Sequence, residues 1–292
     1  MTFRHVDFRL LKKLNLLNYL NVAKSISFSG HKLAIPVVNG LGYPNLFLKP
    51  NWLYSIINEL FGTDNEGFID VGANIGQTLI AVKTAKHPIH YVGFEPSVSC
   101  CYYLKELIRV NGFADCQVYN FALSNELKET YLETNGEADP TGSIVSALRP
   151  SFFKQRESIL SIDHDRLHLD QKVTCIKIDV EGGELETLLG MQNLLRRDRP
   201  YILCEILDSF SDDVLTFTQE RADRVCETLK KHDYSIIQIV QHEETEQIVS
   251  FNEIDSINII QWHNGSLQLN DYIFYPVEKR KNIVEILARL SH

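Results

Sequence analysis

The amino-acid sequence predicts an α/β protein with a mostly parallel β-sheet that is covered by helices. From Phe68 onward, short β-type runs alternate with segments of helical spacing, the order that builds such a sheet. One run leads through a glycine turn into a helix, and an acidic residue ends the next run. With 292 residues, 44% hydrophobic and 23% charged, the chain is long enough for one large core.

Six β-type runs and three helical segments support this order. The candidate strands are 67–71, 90–94, 116–119, 173–178, 201–206 and 235–240. Apolar residues recur at helical spacing within 98–108, 185–189 and 222–229. The stretch 135–152 contains two glycines and two prolines, which predicts a long functional loop, with a polar surface turn as the alternative.

The six cysteines contain no Cys-x-x-Cys pair and no histidines at metal spacing, which argues against a disulfide framework and against zinc. This use of cysteine is typical of a reducing compartment, so a cytoplasmic location is expected. No uninterrupted apolar run reaches the roughly 18 residues of a spanning helix. We therefore expect at most a peripheral contact with a membrane.

Charge is distributed unevenly along the chain. Residues 1–50 carry +6 and the remainder carries −15, within a total of −9. The main body should therefore repel the phosphates of nucleic acid, so no nucleic-acid partner is expected.

The first 50 residues are interpreted as a basic, partly helical extension of a domain that comprises residues 51–292. Leucines recur between positions 10 and 20 with basic residues between them, which predicts an amphipathic helix over 8–20. Such a helix docks on its own domain, pairs with another chain, or lies on an anionic membrane surface. Pairing with a second copy of the chain would form a homo-oligomer. Asparagines within its apolar face favour docking or pairing over the membrane, and they also argue against a signal peptide.

The strongest local motif is the strand and turn from Phe68 to Thr78, FIDVGANIGQT. Gly72 and Gly76 allow a sharp turn and close approach of a ligand. Their Gly-x-x-x-Gly spacing differs from the Gly-x-Gly-x-x-Gly that holds a dinucleotide pyrophosphate. Asp70, near the end of the strand, would repel a pyrophosphate but suits a cationic ligand such as S-adenosylmethionine, which carries an ammonium and a sulfonium.

A second motif, VGFEP, ends the next candidate strand at Glu95, nineteen residues after Gly76. A carboxylate here can accept hydrogen bonds from both hydroxyls of a ribose, as does the acid about 20 residues beyond the glycine turn in other ribose-binding sheets. A lone acid at the end of a strand is usually a cap or a surface charge, but its pairing with the glycine turn favours ribose binding.

These motifs resemble the FkbM-type methyltransferases, which have the Rossmann-like class I fold and use S-adenosylmethionine. The matching segments are DVGANIG from Asp70, FEP from Phe94, ALS from Ala122 and IKIDVEG from Ile176. The resemblance covers about residues 50–276 and implies a mostly parallel sheet of seven strands, flanked by helices and preceded by the N-terminal helical extension. The chain departs from the family pattern at Val98, Asn125 and Gly183, and none of these departures removes an identifiable cofactor contact.

The resemblance also implies which residues bind the cofactor. The methionine end would contact Asp70, Gly72, Asn74, Gly76 and Thr78, and Glu95 would bind the ribose. The adenine would lie beside Asn120, Phe121 and Ala122, although Phe121 is equally suited to the core. Ser143, and Asp179 at the end of the fourth strand, would lie near the methyl group that is transferred.

Methyl transfer to a hydroxyl needs in-line positioning and a base within hydrogen-bond reach of the hydroxyl. Asp179 is the first candidate for the base, followed by His164 and Glu205. A divalent ion held by Asp179, Glu181 and Glu205 is a second route, although nothing in the spacing requires a metal. For Glu181, capping of the following helix is a strong alternative.

The sequence therefore predicts an S-adenosylmethionine-dependent O-methyltransferase that acts on a hydroxyl of a small molecule, a sugar, glycan or glycolipid in particular. Two other classes stay open. One is a protein that binds the cofactor or assembles with partners without catalysing a reaction. The other is a nucleotide-binding oxidoreductase, which the glycine pattern disfavours.

Overall fold

The computed structural model describes residues 8–14, 16–62, 66–136, 139–167, 169 and 171–291. Within these ranges the chain forms one large sheet, one hairpin and one small sheet. The strands are β1 (Asn21–Phe28), β2 (His31–Val38), β3 (Glu66–Val71), β4 (Ile89–Phe94), β5 (Cys116–Tyr119), β6 (Ala122–Leu123), β7 (Lys128–Thr134), β8 (Gln155–Ile162), β9 (Val173–Ile178), β10 (Tyr201–Glu205), β11 (Tyr234–Gln241), β12 (Ile248–Ile254) and β13 (Asp271–Pro276). The helices are α1 (Phe8–Lys13), α2 (Trp52–Leu60), α3 (Gln77–Lys83), α4 (Val98–Asn111), α5 (Glu184–Leu189), α6 (Gln192–Asp198), α7 (Leu215–Lys230) and α8 (Arg280–Leu290).

The large sheet has the order β12-β11-β13-β10-β9-β3-β4-β5. The five strands from β10 to β5 are parallel, whereas β13 is antiparallel to both of its neighbours. The expected fold class, a mostly parallel sheet with helices around it, is confirmed. The strand count differs from the expected seven, because β12 pairs with β11 and adds an eighth, antiparallel strand at one edge.

Two apolar clusters cover the two faces of this sheet. Successive residues of β3 alternate between them: Phe68 packs with side chains of α2, α3, α4 and α8, whereas Ile69 packs with those of α5, α6 and α7. A strand that is covered on both faces reads as a continuous apolar run, and such runs mark β3, β4 and β9 in the sequence. The predicted bounds of all six candidate strands agree with the structure to within one residue at either end.

A small sheet with the order β6-β8-β7 lies beyond the end of β5. The chain between β7 and β8 is the loop that the glycines and prolines predict, and the structure describes it apart from residues 137 and 138. The two strands that flank this loop were not predicted, because charged and hydroxyl side chains outnumber apolar ones in both.

The N-terminal segment differs from the helix predicted over 8–20. Helix α1 ends at Lys13, a 3-10 turn covers Leu17–Tyr19, and β1 and β2 then form a hairpin. Asn15 lies outside the described residues, and Asn18 and Asn21 are poor helix formers. The hairpin docks on α4, where Asn111 exchanges two hydrogen bonds of 2.8 Å with the backbone of Ala34.

None of the helices within the described ranges is long and apolar enough to cross a membrane. All six cysteines are free.

Candidate active site

A cavity of about 550 Å³ opens at the carboxyl ends of the parallel strands β3, β4 and β9. Open α/β sheets bind their ligands at this edge, and the volume is typical of sites for small molecules, which range over about 300–1,000 Å³. The small sheet and the loop between β7 and β8 form the opposite wall. The predicted site residues that line the cavity are Gly72, Asn74, Thr78, Glu95, Ala122, Asp179 and Glu205.

The turn after β3 brings the backbone close to the end of β9. Gly72 has φ +84°, and a Cβ atom there would lie 1.9 Å from the carbonyl oxygen of Asp179. Only glycine fits this conformation and this contact. Gly76 has φ +79°, but a Cβ atom there would meet Leu104 and Leu107 of α4. The structure therefore gives Gly76 a packing role rather than a place on the cavity wall.

The two motifs meet at Glu95. Its Oε2 accepts a hydrogen bond of 2.7 Å from the backbone N–H of Asn74, and its Oε1 accepts one of 2.8 Å from the N–H of Ser97. The side chain is only 5% exposed, and burial raises its pKa to about 7 against the lowering effect of these two bonds. Each oxygen keeps a second lone pair, so the carboxylate can still accept bonds from a ligand.

Asp70 lies beneath the cavity rather than on its wall. The side chain is fully buried, and its Oδ2 accepts a hydrogen bond of 2.6 Å from the hydroxyl of Tyr91. Burial raises the pKa of Asp70 to about 6, although the charge of Lys177 and the bond from Tyr91 oppose the shift. The structure therefore places Asp70 beside Lys177 and not among the residues that line the cavity.

Lys177 was not singled out in the sequence, yet it is central to the floor of the cavity. It pairs in register with Asp70 on the neighbouring strand, and its Nζ donates a hydrogen bond of 2.7 Å to Oδ2 of Asp179. Burial favours neutral lysine, but the carboxylates of Asp179 and Asp70 outweigh burial and raise the pKa of Lys177. A lysine within the apolar run of β9 needs counter-charges, and that signal was available in the sequence.

Asp179 and Glu205 end neighbouring strands and have opposite pKa shifts. Burial would raise the pKa of Asp179, but the charge and hydrogen bond of Lys177 lower it below its ordinary value. Burial and the charges of Asp179 and Asp271 raise the pKa of Glu205 well above its ordinary value. The protonated carboxyl of Glu205 then donates to the ionised Asp179.

Glu181 lies two residues after Asp179 and has φ +54°. Its side chain bonds to Arg149 and not to the helix that follows. Its Oε2 accepts a hydrogen bond of 2.5 Å from the guanidinium of Arg149. Burial raises the pKa of Glu181 to about 7, although Arg149 opposes that shift. Glu184, the first residue of α5, accepts a hydrogen bond of 2.8 Å at Oε1 from the N–H of Gly182, and no side chain caps this helix within the described residues.

Asp179, Glu181 and Glu205 form the three-acid group that the sequence offers to a divalent ion. Their carboxylate oxygens lie within 4.8 Å of one another. Lys177 and Arg149 already pair with two of the three. This arrangement brings negative charge to one end of the cavity, with part of it neutralised by the protein itself.

Four other predicted residues, His164, Asn120, Phe121 and Ser143, are not among the residues that line the cavity. His164 is 3% exposed and packs edge-on against Phe94, with 6.4 Å between the ring centroids. Within the part of the chain that the structure describes, neither of its ring nitrogens has a hydrogen-bond partner, and burial lowers its pKa. Phe94 itself lines the cavity, so His164 lies behind the wall and is not placed to act as a base.

Asn120, Phe121 and Ser143 stabilise the surroundings of the site. The side chain of Asn120 donates to the carbonyls of Glu95 and Pro96, and the ring of Phe121 packs against Phe94. The hydroxyl of Ser143 donates a bond of 2.7 Å to the carbonyl of Glu181. The structure thus gives these three residues packing and positioning contacts, and for Phe121 this is the core position that the sequence left open.

The wall opposite the glycine turn comes from residues that the motifs did not indicate. It includes Leu132 and Thr134 of β7 and Gln155, Arg156 and Glu157 of β8. Gln77, Ser97 and Cys100 also line the cavity, each within a few residues of a recognised motif. The cavity therefore combines an acidic floor with a wall of mixed polar side chains.

Residues 70–256 match the model of the methyltransferase FkbM domain. No curated protein matches the chain.

Several solved structures are similar at low sequence identity. Methyltransferase FkbM from Methylobacillus flagellatus KT is 16% identical, with a TM-score of 0.46 over 76% of this chain and 48% of that one. The chain thus spans about half the length of that protein. Aeropyrum pernix fibrillarin with bound S-adenosyl-L-methionine is 14% identical, with a TM-score of 0.39 over 88% and 83% of the two chains. A putative methyltransferase from Streptococcus mutans in complex with SAH is 8% identical, with a TM-score of 0.43 over 76% and 94%.

The match to the domain model spans more than half of the 292 residues and includes both motifs that form the cavity. The chain therefore belongs to the FkbM methyltransferase family.

Proposed function

We propose that this protein binds S-adenosylmethionine in the cavity at the ends of β3, β4 and β9 and transfers its methyl group to a hydroxyl of a sugar or glycan. The observation that carries the proposal is the junction of Asn74 and Glu95, which fixes a buried carboxylate beside the glycine turn. The family supports methyl transfer.

The chemistry of the wall fits this cofactor. Glu95 is held by two backbone N–H groups with lone pairs still available to the two hydroxyls of a ribose. Asp70 and Asp179 supply negative charge near the floor, which suits a ligand that carries an ammonium and a sulfonium. When bound, the cofactor supplies a methyl group on a sulfonium, which is already activated for transfer.

We assign Asp179 the role of accepting the proton of the acceptor hydroxyl. It lines the cavity, and one of its carboxylate oxygens bonds to Lys177, which holds the side chain in place. Because its pKa is lowered, Asp179 is ionised at neutral pH and ready to accept a hydrogen bond. A base of low pKa is weak, so most of the rate enhancement must come from positioning of the reactants.

The acceptor class is inferred from the opposite wall. Thr134 and Gln155 offer hydroxyl and amide groups to the cavity, and Leu132 adds an apolar surface. Sugars present many hydroxyls and some apolar C–H surface, so this mixture suits a sugar or glycan better than a purely apolar acceptor.

Incubation with S-adenosylmethionine labelled in its methyl group tests the proposal. Extracts rich in small glycans and glycolipids serve as acceptors, and the labelled product is identified by mass spectrometry. We expect label on a sugar oxygen, and Asp179→Asn should greatly reduce it. Label on a nitrogen or carbon atom would contradict the acceptor class, and cofactor binding without transfer to any acceptor would favour a non-catalytic protein.

A further inference from the structure

Residues 8–50, here called the basic segment, differ in charge from the rest of the chain. They contain Arg9 and five lysines but no acidic residue, whereas the chain as a whole has a net charge of −9. Within the ranges that the structure describes, none of these lysines takes part in an ion pair. The charge of these five lysines is therefore not neutralised by ion pairs among the described residues.

Helix α1 presents part of this charge to solvent. Phe8 is 3% exposed and anchors the helix in the main apolar cluster, together with Leu11. Lys12 and Lys13 are exposed, and Leu10 is exposed beside them. The outward face of α1 thus combines basic and apolar side chains, as in helices that lie at a membrane interface.

Further apolar side chains of the basic segment are exposed next to this helix. Leu14 is 57% exposed, Leu16 41% and Tyr19 84%. These side chains follow α1 directly in the chain, and none of them is needed to complete the hairpin. Neighbouring exposed apolar residues of this kind mark an interaction site more often than scattered ones do.

The basic segment also contributes one residue to the wall of the cavity. The ammonium of Lys12 lies 4.9 Å from the ring centroid of Tyr43, and the guanidinium of Arg9 lies 5.1 Å from that of Phe47. Pro44, between these two aromatic residues, lines the cavity. A surface that binds α1 therefore lies close to the cavity wall at Pro44.

We propose that the basic segment docks the protein on an anionic lipid surface. Its lysines attract acidic headgroups, and the leucines and Tyr19 enter the interfacial region. The excess negative charge of the rest of the chain is repelled by the same surface, which orients the molecule with the basic segment towards the lipid. The proposal stands on charge and exposure and does not depend on the identity of the methyl acceptor.

Two other partners fit the segment less well. Nucleic acid would use the positive charge but gains little from exposed leucine side chains, and the acidic main body would repel its phosphates. A second copy of this chain would bury the leucines but would bring two basic segments together, which like-charge repulsion opposes. An anionic lipid surface alone uses both the charge and the apolar side chains.

Sedimentation of the full chain with vesicles tests the docking. We compare phosphatidylcholine vesicles with vesicles that also contain phosphatidylglycerol, at low and at high salt. The protein should sediment with the anionic vesicles only, and salt should weaken the binding. Binding of RNA in preference to anionic vesicles, or a dimer whose formation abolishes vesicle binding, would overturn the proposal.

Two sets of variants separate charge from apolar insertion. Lys12→Gln with Lys13→Gln should weaken vesicle binding roughly 30-fold, from a contribution of about 1 kcal/mol for each lysine. The matched control is Lys231→Gln with Lys281→Gln, two exposed lysines outside the basic segment, which should leave binding unchanged. Leu14→Ser with Leu16→Ser should weaken binding at every salt concentration. Equal loss in the control pair, or no loss in the two test pairs, would refute docking through this segment.

Cofactor affinity distinguishes this proposal from the proposed function. The variants of the basic segment should bind S-adenosylhomocysteine as the unmutated protein does, because none of the changed residues lines the cavity. If the protein binds S-adenosylhomocysteine but not anionic vesicles, the docking proposal alone is refuted. If the protein binds anionic vesicles but not S-adenosylhomocysteine, the proposed function alone is refuted.

Discussion

The backbone N–H of Asn74 donates to the carboxylate of Glu95 at 2.7 Å, across the ends of two neighbouring parallel strands. This bond joins the glycine turn after β3 to the acid after β4. It fixes the orientation of Glu95 before any ligand binds, so little of the binding free energy has to be spent on ordering that side chain.

The pKa of Glu95 makes cofactor binding depend on pH. Burial raises that pKa to about 7, and only the ionised carboxylate can accept both ribose hydroxyls. Binding therefore favours the ionised form, and protonation competes with it as the pH falls. We expect the Kd for S-adenosylhomocysteine to rise about tenfold for each pH unit below about 7.

Calorimetric titration between about pH 5.5 and 8 measures this dependence. Glu95→Gln is the control, because its amide does not titrate, and its weaker binding should vary much less over the same range. If the Kd of Glu95→Gln changed with pH as steeply as that of the unmutated protein, another group, such as Asp70, would control the pH dependence of binding.

Asp179→Asn should lower turnover far more than cofactor affinity. Loss of the proton acceptor is expected to reduce kcat by about 10²- to 10⁴-fold, while the Kd for S-adenosylhomocysteine changes little. Single-turnover kinetics with the identified acceptor measure the first effect and calorimetry the second. Asp223→Asn, on the exposed side of α7, is the control. Kinetics of Asp179→Asn equal to those of the control would remove Asp179 from the mechanism.

Gly72→Ala should destabilise the fold at the site itself. The new Cβ atom would lie 1.9 Å from the carbonyl oxygen of Asp179, at a φ of +84° that alanine avoids. We expect the free energy of unfolding in urea to fall by about 2–4 kcal/mol. Gly62→Ala is the control, because no described atom lies within 4 Å of its ideal Cβ position. Equal stability of the two variants would show that the turn has room to move.

Chelation tests whether the three-acid group needs a divalent ion. Lys177 and Arg149 already pair with Asp179 and Glu181, so the account predicts that treatment with EDTA leaves methyl transfer unchanged. Methyl transfer is measured without EDTA, after treatment with EDTA, and again after Mg²⁺ is added back. A loss of activity that Mg²⁺ restores would assign Asp179, Glu181 and Glu205 a metal-binding role instead.

The sequence predicted the large sheet well because its central strands are apolar on both faces. The meeting of the glycine turn and Glu95, through Asn74, was also predictable, since the carboxyl ends of neighbouring parallel strands share one edge of the sheet. The hairpin of β1 and β2 was missed because the leucines before it suggested one long helix. The flanking strands β7 and β8 were missed because their polar residues carry no clear alternation.

Within the site, the type of residue was predicted better than its direction. Asp70 precedes the last residue of its strand, and its side chain turns to Tyr91 below the cavity. His164 follows β8 in a 3-10 turn that packs it behind Phe94. Neither direction can be derived from the spacing, because each depends on a tertiary contact with a residue far away in the chain.

The central claim is that Glu95 and the glycine turn hold an adenosyl ligand, and isothermal titration with S-adenosylhomocysteine tests it. The same titration is repeated on Glu95→Ala, and the unmutated protein is also titrated with NADH. We predict that the unmutated protein binds S-adenosylhomocysteine at one site and does not bind NADH. Glu95→Ala should lose most of its affinity for S-adenosylhomocysteine while it retains the fold. Preference for NADH, or undiminished binding of S-adenosylhomocysteine by Glu95→Ala, would contradict the claim.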